Sequence, residues 1–186
     1  MTKHFGAENG YSTCVVSDNA AHYASVPGAD IEINDYCDDA VCEICCFIMT
    51  NASGDGRKTA LIYNDTHRGA ERVERKQFDT DGSFDAFLPY YAACTATEPV
   101  GAAAMLGCAE DGTDNDLIFV TSRLTADSVA DLCGARSVSR AVTVVLFEPY
   151  SMLNDPEKIK NETEAYINEL ASADVNVQRI SETELL

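Results

Sequence analysis

The chain has 186 residues, 46% of them apolar, including seven Phe and eight Tyr. That is enough to bury the core of one domain, and it argues against disorder over most of the length. Thirty-one acidic residues face thirteen basic ones, a formal net charge of −18, and such a surface repels phosphate backbones and anionic headgroups, which argues against nucleic acid or direct lipid contact as a primary role.

The first expected strand is Ser12–Asp18 (STCVVSD), whose apolar centre suits a strand buried on both faces. Residues 20–34, with Pro27, Gly28 and several acids, read as a loop. Asp38 or Asp39 is a candidate cap for a helix running to about Asn51, on which Val41, Ile44, Cys45 and Ile48 repeat at helical spacing. The Gly-rich stretch Asn51–Gly56 stops it. Arg57–Tyr63 is the second strand and Arg72–Phe78 a more polar third, joined by so short a connection that they must run antiparallel.

Ser83 is expected to cap a helix bearing Phe84, Phe87, Leu88 and Tyr91, with Pro89 kinking or breaking it. Pro99 suits the first position of a short helix through about Ala109. Asp116–Ser122 (DLIFVTS) and Ala141–Phe147 (AVTVVLF) are strongly apolar strands, separated by a helix that Thr125 caps. Asn154-Asp-Pro156 opens the last helix, and Val175–Ile180 closes as a strand before a short tail. Strands alternating with helices predict one α/β domain, core about 12–181, with a Rossmann-like, doubly wound and mostly parallel sheet of about six strands. One antiparallel edge strand and helices on both faces complete it.

The eight cysteines lie mostly inside apolar runs such as VCEICCFIM. Cys42 and Cys45 have C-x-x-C spacing, but no second pair follows at zinc-finger spacing and no His is near, so buried reduced thiols are expected rather than metal ligands. The opening MTKHFGAENG lacks the apolar run of a secretory leader, and no stretch approaches the length of a membrane span. Six of the thirteen basic residues crowd into Arg57–Lys76. Arg72, Arg75 and Lys76 are therefore candidates for holding an acidic partner, or for blunting an exposed strand edge.

Ligands of open α/β sheets sit beyond the carboxyl ends of the strands where the winding reverses. Right-handed crossovers make Ser12–Asp18 and Asp116–Ser122 neighbours at that point, so the loops Asp18–His22, Thr121–Thr125 and Thr95–Pro99 should share one rim. The turn Asp18-Asn-Ala-Ala-His22 has no Gly, which excludes dinucleotide and Walker-type phosphate loops. No Lys stands between 76 and 158, which argues against a phosphoacceptor receiver, and no G-x-S-x-G elbow is present. His22 near Ser17 or Ser25 is the sole sketch of a nucleophile pair, and Asp18, His22 and Ser122 are what an enzyme reading would have to use.

Asp38–Met49 followed by Gly54-Asp-Gly-Arg-Lys-Thr-Ala-Leu-Ile-Tyr63, with the later strands Asp116–Thr121 and Val142–Leu146, resembles von Willebrand factor A-like domains. The match looks nearest to the C-terminal domain of the MoxR-associated bacterial membrane protein family. The resemblance implies a protein-binding domain without catalysis or cofactor, working with a MoxR-type AAA+ ATPase at the cytoplasmic face of a membrane, with membrane anchors outside this sequence. It also implies a metal-ion-dependent adhesion site of pattern D-x-S-x-S, completed by a Thr and an Asp. Carried over, those positions hold Asp18, Ala20, His22, Thr97 (or Thr95) and Ser122, with Arg123 alongside. Mg²⁺ is held by near-octahedral oxygen ligation, and this set has lost two hydroxyls and a carboxylate. The site is thus expected to be degenerate, with Asp18 and Arg123 forming an ion pair in place of the metal, and with Asp18, Asn19 and Arg123 available to a protein partner.

Overall fold

A computed structural model describes residues 12–30, 32–54, 58–67, 72–78, 83–94, 100–109 and 115–184. The six strands are β1 (Ser12–Asp18), β2 (Thr59–Asn64), β3 (Val73–Phe78), β4 (Asn115–Thr121), β5 (Ala141–Glu148) and β6 (Asn176–Ser181). They form one sheet in the order β3-β2-β1-β4-β5-β6, in which every neighbouring pair is parallel except β2 and β3. This is the expected doubly wound α/β arrangement, and the winding reverses between β1 and β4. Every residue of β2 is buried, as are Thr13–Asp18 of β1, because helices cover both sides of the central strands.

Two layers enclose the sheet. On one side, α1 (Ile33–Gly54) and α2 (Ser83–Tyr91) pack Val41, Ile44, Cys45, Phe84 and Phe87 against Val15, Leu61 and Val120. On the other, α3 (Ala102–Gly107), α4 (Ala126–Arg136) and α5 (Pro156–Ser172) pack Met105, Leu132 and Leu170 against Val16, Phe119 and Val144. Alternate residues of a strand face opposite sides, so Val15 and Val16 serve different layers. Thr125 caps α4 through a reciprocal pair of bonds with Ser128. Asp174, at φ 61°, ends α5 in the left-handed conformation, and Arg136 grips both its carbonyl and its carboxylate.

Two local expectations are corrected. α1 begins at Ile33 rather than after Asp38, because Ile33 and Cys37 continue the apolar stripe of Val41 and Cys45 one turn at a time and are themselves buried. Asp38 and Asp39 lie inside the helix, and the preceding turn is fixed by Asp30, whose carboxylate accepts the Glu32 N–H. Pro89 does not break α2: it sits in the last turn with Asp85 on the exposed side, so the carbonyl it leaves without a helical donor is open to water.

Residues 20–30 are tied to the loop after β5. Asn154 N–H donates to the Gly28 carbonyl, Asp30 N–H donates to that of Met152, and Ala29 bridges Leu153. Gly28, at φ 77°, turns the chain there against the Asn154 side chain.

None of the eight cysteines is in a disulfide. Cys37 and Cys45 are buried, and burial pushes each thiol up to about 12. Cys42 and Cys46, one turn apart and half-buried, share a hydrogen bond that holds the Cys46 thiol below its ordinary value and raises that of Cys42. The thiolate is the nucleophile, so brief alkylation of the folded protein at about pH 8 should label Cys46 ahead of Cys37 and Cys45. Peptide mass mapping checks this, and early labelling of Cys45 would contradict the packing of α1 on β1.

Candidate functional site

The rim at the winding reversal is organised by a buried carboxylate. Parallel pairing sets Asp18 opposite Thr121 as the last residues of β1 and β4, so their side chains stand side by side on one face. Asp18 is 4% exposed. Its Oδ2 accepts from the Thr121 hydroxyl at 2.8 Å and from His22 Nε2 at 2.8 Å. A carboxylate only accepts, so Nε2 of His22 carries the proton. The i,i+4 reach from Asp18 to His22 is made by a tight turn in which His22 N–H bonds the Ala20 carbonyl at 2.8 Å.

The shell around this centre comes from α1 and the loop after β4. Tyr23 N–H donates to Asn34 Oδ1 and Tyr23 OH to the Ser122 carbonyl, both at 2.9 Å. Burial drives the Tyr23 phenol far above its ordinary value, so it stays a donor. Ser122 is buried, and its side chain sits beside the Cys37 thiol, where its hydrogen bond partly offsets the rise that burial causes. Beneath, Ser17 Oγ lies 2.6 Å from Tyr91 OH, fastening β1 to α2.

Arg123 corrects one expectation. It forms no ion pair with Asp18. Its Nη1 donates to the His22 carbonyl at 3.0 Å, and its guanidinium lies over the Tyr23 ring, 5.5 Å from the centroid. His22 holds the place by Asp18 that charge complementarity assigned to Arg123.

Asp18, Asn19, Ala20, His22, Ser122 and Arg123 are all brought to this rim; Thr97 and Thr95 lie outside the described residues. As a Mg²⁺ shell the described set fits poorly. Ala20 has no side-chain ligand atom, His22 is bound to Asp18, and Ser122 is buried. Asp18 Oδ2 already takes two hydrogen bonds. Against this, Asp18 Oδ1 and Asn19 Oδ1 are buried acceptors without a hydrogen-bond partner. Two oxygens on adjacent residues fall well short of the near-octahedral oxygen set that Mg²⁺ demands. Among the described residues there is no cluster of three or more His, Cys, Asp or Glu placed to hold a metal ion.

The geometry also bears on the nucleophile pair. Ser17 is fully buried on Tyr91, and among the described residues the His22 side chain hydrogen-bonds to Asp18 alone. The basic residues Arg72, Arg75 and Lys76 lie apart from the rim centre, on or beside β3, the edge strand. Arg72 pairs with Glu74 at 2.8 Å, and Lys76 Nζ sits 4.0 Å from the centre of the Phe87 ring. Charged side chains spread along an edge strand are what guards it against pairing with another chain.

Sequence reasoning brought the Thr121–Thr125 loop to the rim but gave Thr121 no role at Asp18, and it did not single out Tyr23 within the loop. It also missed a second buried carboxylate, Asp65, just past β2, which accepts from Tyr90 OH at 2.8 and 3.0 Å and from His67 N–H at 3.1 Å. The signal was available: Asn64-Asp65 follows the apolar run of β2 as Asp18-Asn19 follows that of β1.

Compared with known proteins, the chain matches no protein-family model and no curated protein. Among the described residues no helix is long and apolar enough to cross a membrane.

Replacing His22 by Ala removes one of two donors from a buried carboxylate. The expected cost is about 1–3 kcal/mol of folding stability, measured by urea denaturation. A neutral result would mean that His22 does not hold Asp18.

Proposed function

We propose that this chain is a protein-interaction domain of the von Willebrand factor A type, in which a histidine stands where such a rim would hold a divalent cation. In this reading it catalyses nothing, needs no cofactor, and works with a MoxR-type AAA+ ATPase. It stands at the cytoplasmic face of a membrane, held there by segments outside this sequence.

The observation that carries the reading is the bond from His22 Nε2 to Asp18 Oδ2. His22 is the last position of the D-x-S-x-S pattern, where a hydroxyl ligand belongs. Here a nitrogen donor hydrogen-bonds the carboxylate directly, and the pair lies at the reversal of strand order, on the rim where α/β sheets present their binding loops. The MoxR-type partner rests on the sequence resemblance alone. The competing reading, a Rossmann-like enzyme or small-ligand binder using Asp18, His22 and Ser122, meets a buried Ser122 and a His22 engaged by Asp18.

Binding through such a rim is independent of divalent metal. Capture of a purified MoxR-type ATPase on the immobilised domain should be the same with and without EDTA, and should weaken about tenfold in Arg123→Glu. Charge reversal at Arg72, Arg75 and Lys76 should leave it unchanged, since those residues guard an edge. Capture abolished by EDTA, or lost in the edge variant but not in Arg123→Glu, would overturn the proposal.

A further inference from the structure

The two layers of helices do not cover the sheet equally. The side bearing α3, α4 and α5 is closed from β4 to β6. On the other side, α1 lies over β1 and β4 and reaches β5, where Tyr36 packs edge-on against the buried Phe147, and among the described residues no helix covers β6. What remains there is a groove of about 410 Å³ between α1 and β6, lined by Ile44, Phe47 and Ile48 of α1 and by Val145, Gln178 and Ile180 of the sheet. Phe47 is 72% exposed, the most exposed of the large apolar side chains among the described residues. Tyr36, 37% exposed, stands eleven residues earlier. At 100° per residue the two fall on nearly the same line of the helix, about 16 Å apart along its axis.

The surroundings of this groove are acidic. Glu43 and Glu184 line it, and Glu182 lies close enough to Tyr36 to raise its phenol, after burial, above the ordinary value. α1 itself carries Asp35, Asp38, Asp39 and Glu43 and no Lys or Arg. A second copy of this chain, itself at −18, would bring like charge to that rim and is disfavoured.

We propose that the groove between α1 and β6 receives a basic amphipathic helix from a partner protein, its apolar stripe against Phe47, Ile44 and Ile180 and its Lys or Arg residues toward Glu43, Asp39 and Glu184. The open position is the one a third helix of that layer would take, and its floor is a helix flank and a sheet face. It therefore fits apolar side chains at i, i+3, i+4 and i+7 over about three turns. This surface is separate from the Asp18 rim, and the inference stands whether or not the rim reading holds.

The test uses three fluorescent peptides of equal length: an amphipathic Leu–Lys helix, a Ser–Lys peptide of the same charge, and a Leu–Glu helix. Anisotropy titrations at about 0.15 M salt, where long-range attraction is screened, should show binding of the Leu–Lys helix alone. Phe47→Asp makes the protein more acidic, which favours any purely electrostatic capture, yet it should weaken Leu–Lys binding about tenfold or more. Val138→Asp, at an exposed apolar residue outside the groove, should not. Equal binding of the two Lys peptides, equal behaviour of the two Asp variants, or no binding of the Leu–Lys helix would overturn the proposal.

Discussion

A carboxylate buried between two parallel strands needs donors, and in this molecule the supply of donors to Asp18 decides what its rim can be. Thr121 reaches Asp18 because the two are ladder partners at the ends of β4 and β1. His22 reaches it because the chain turns back sharply after Asn19. Those bonds take up Oδ2, and the His22 carbonyl then anchors Arg123, which covers Tyr23. Each consequence follows from leaving a buried charge paired rather than bare. Remaining acceptors at Asp18 Oδ1 and Asn19 Oδ1 are the rim's one unsatisfied element among the described residues.

The outer architecture was legible because the apolar runs are long and unmistakable. VTVVLF and LIFV can hardly be anything but strands buried on both faces, and right-handed crossover then fixes β1 beside β4. The start of α1 was less legible: a cluster of acids imitates a cap, and only the burial of Ile33 and Cys37 shows the helix beginning earlier. The candidate site was legible in position but not in pairing. Charge complementarity pointed to Arg123 for Asp18, whereas a tight turn delivers His22 four residues on. Which residue of β4 faces Asp18 depends on the register of the ladder, and a shift of one residue exchanges Thr121 for Ser122 and reverses which side chain meets the rim.

The heavy negative charge takes on a more definite meaning once the fold is in place. Four of its acids, with no Lys or Arg among them, lie along α1, at the side of a groove that the sheet's own helices leave open. The few cations on β3 and β6 are engaged locally, Arg72 by Glu74, Lys76 by Phe87 and Arg179 by Glu148 and Glu164. Exposed pairs of this kind add little to stability, but Arg72 and Arg179 are compensated by their own carboxylates, which makes them weaker handles for an acidic partner. A basic partner therefore fits the surface as a whole.

The central claim is that His22, through its Nε2 proton, occupies Asp18 Oδ2 where the proposed reading would otherwise seat a divalent cation. The most direct measurement is long-range nitrogen-15 NMR of the His22 imidazole, recorded with and without Mg²⁺ and then with Mn²⁺. The account predicts a protonated Nε2 whose signals do not move with Mg²⁺ and are not selectively broadened by Mn²⁺. A proton on Nδ1 alone, or broadening centred on His22 and Asp18, would contradict it.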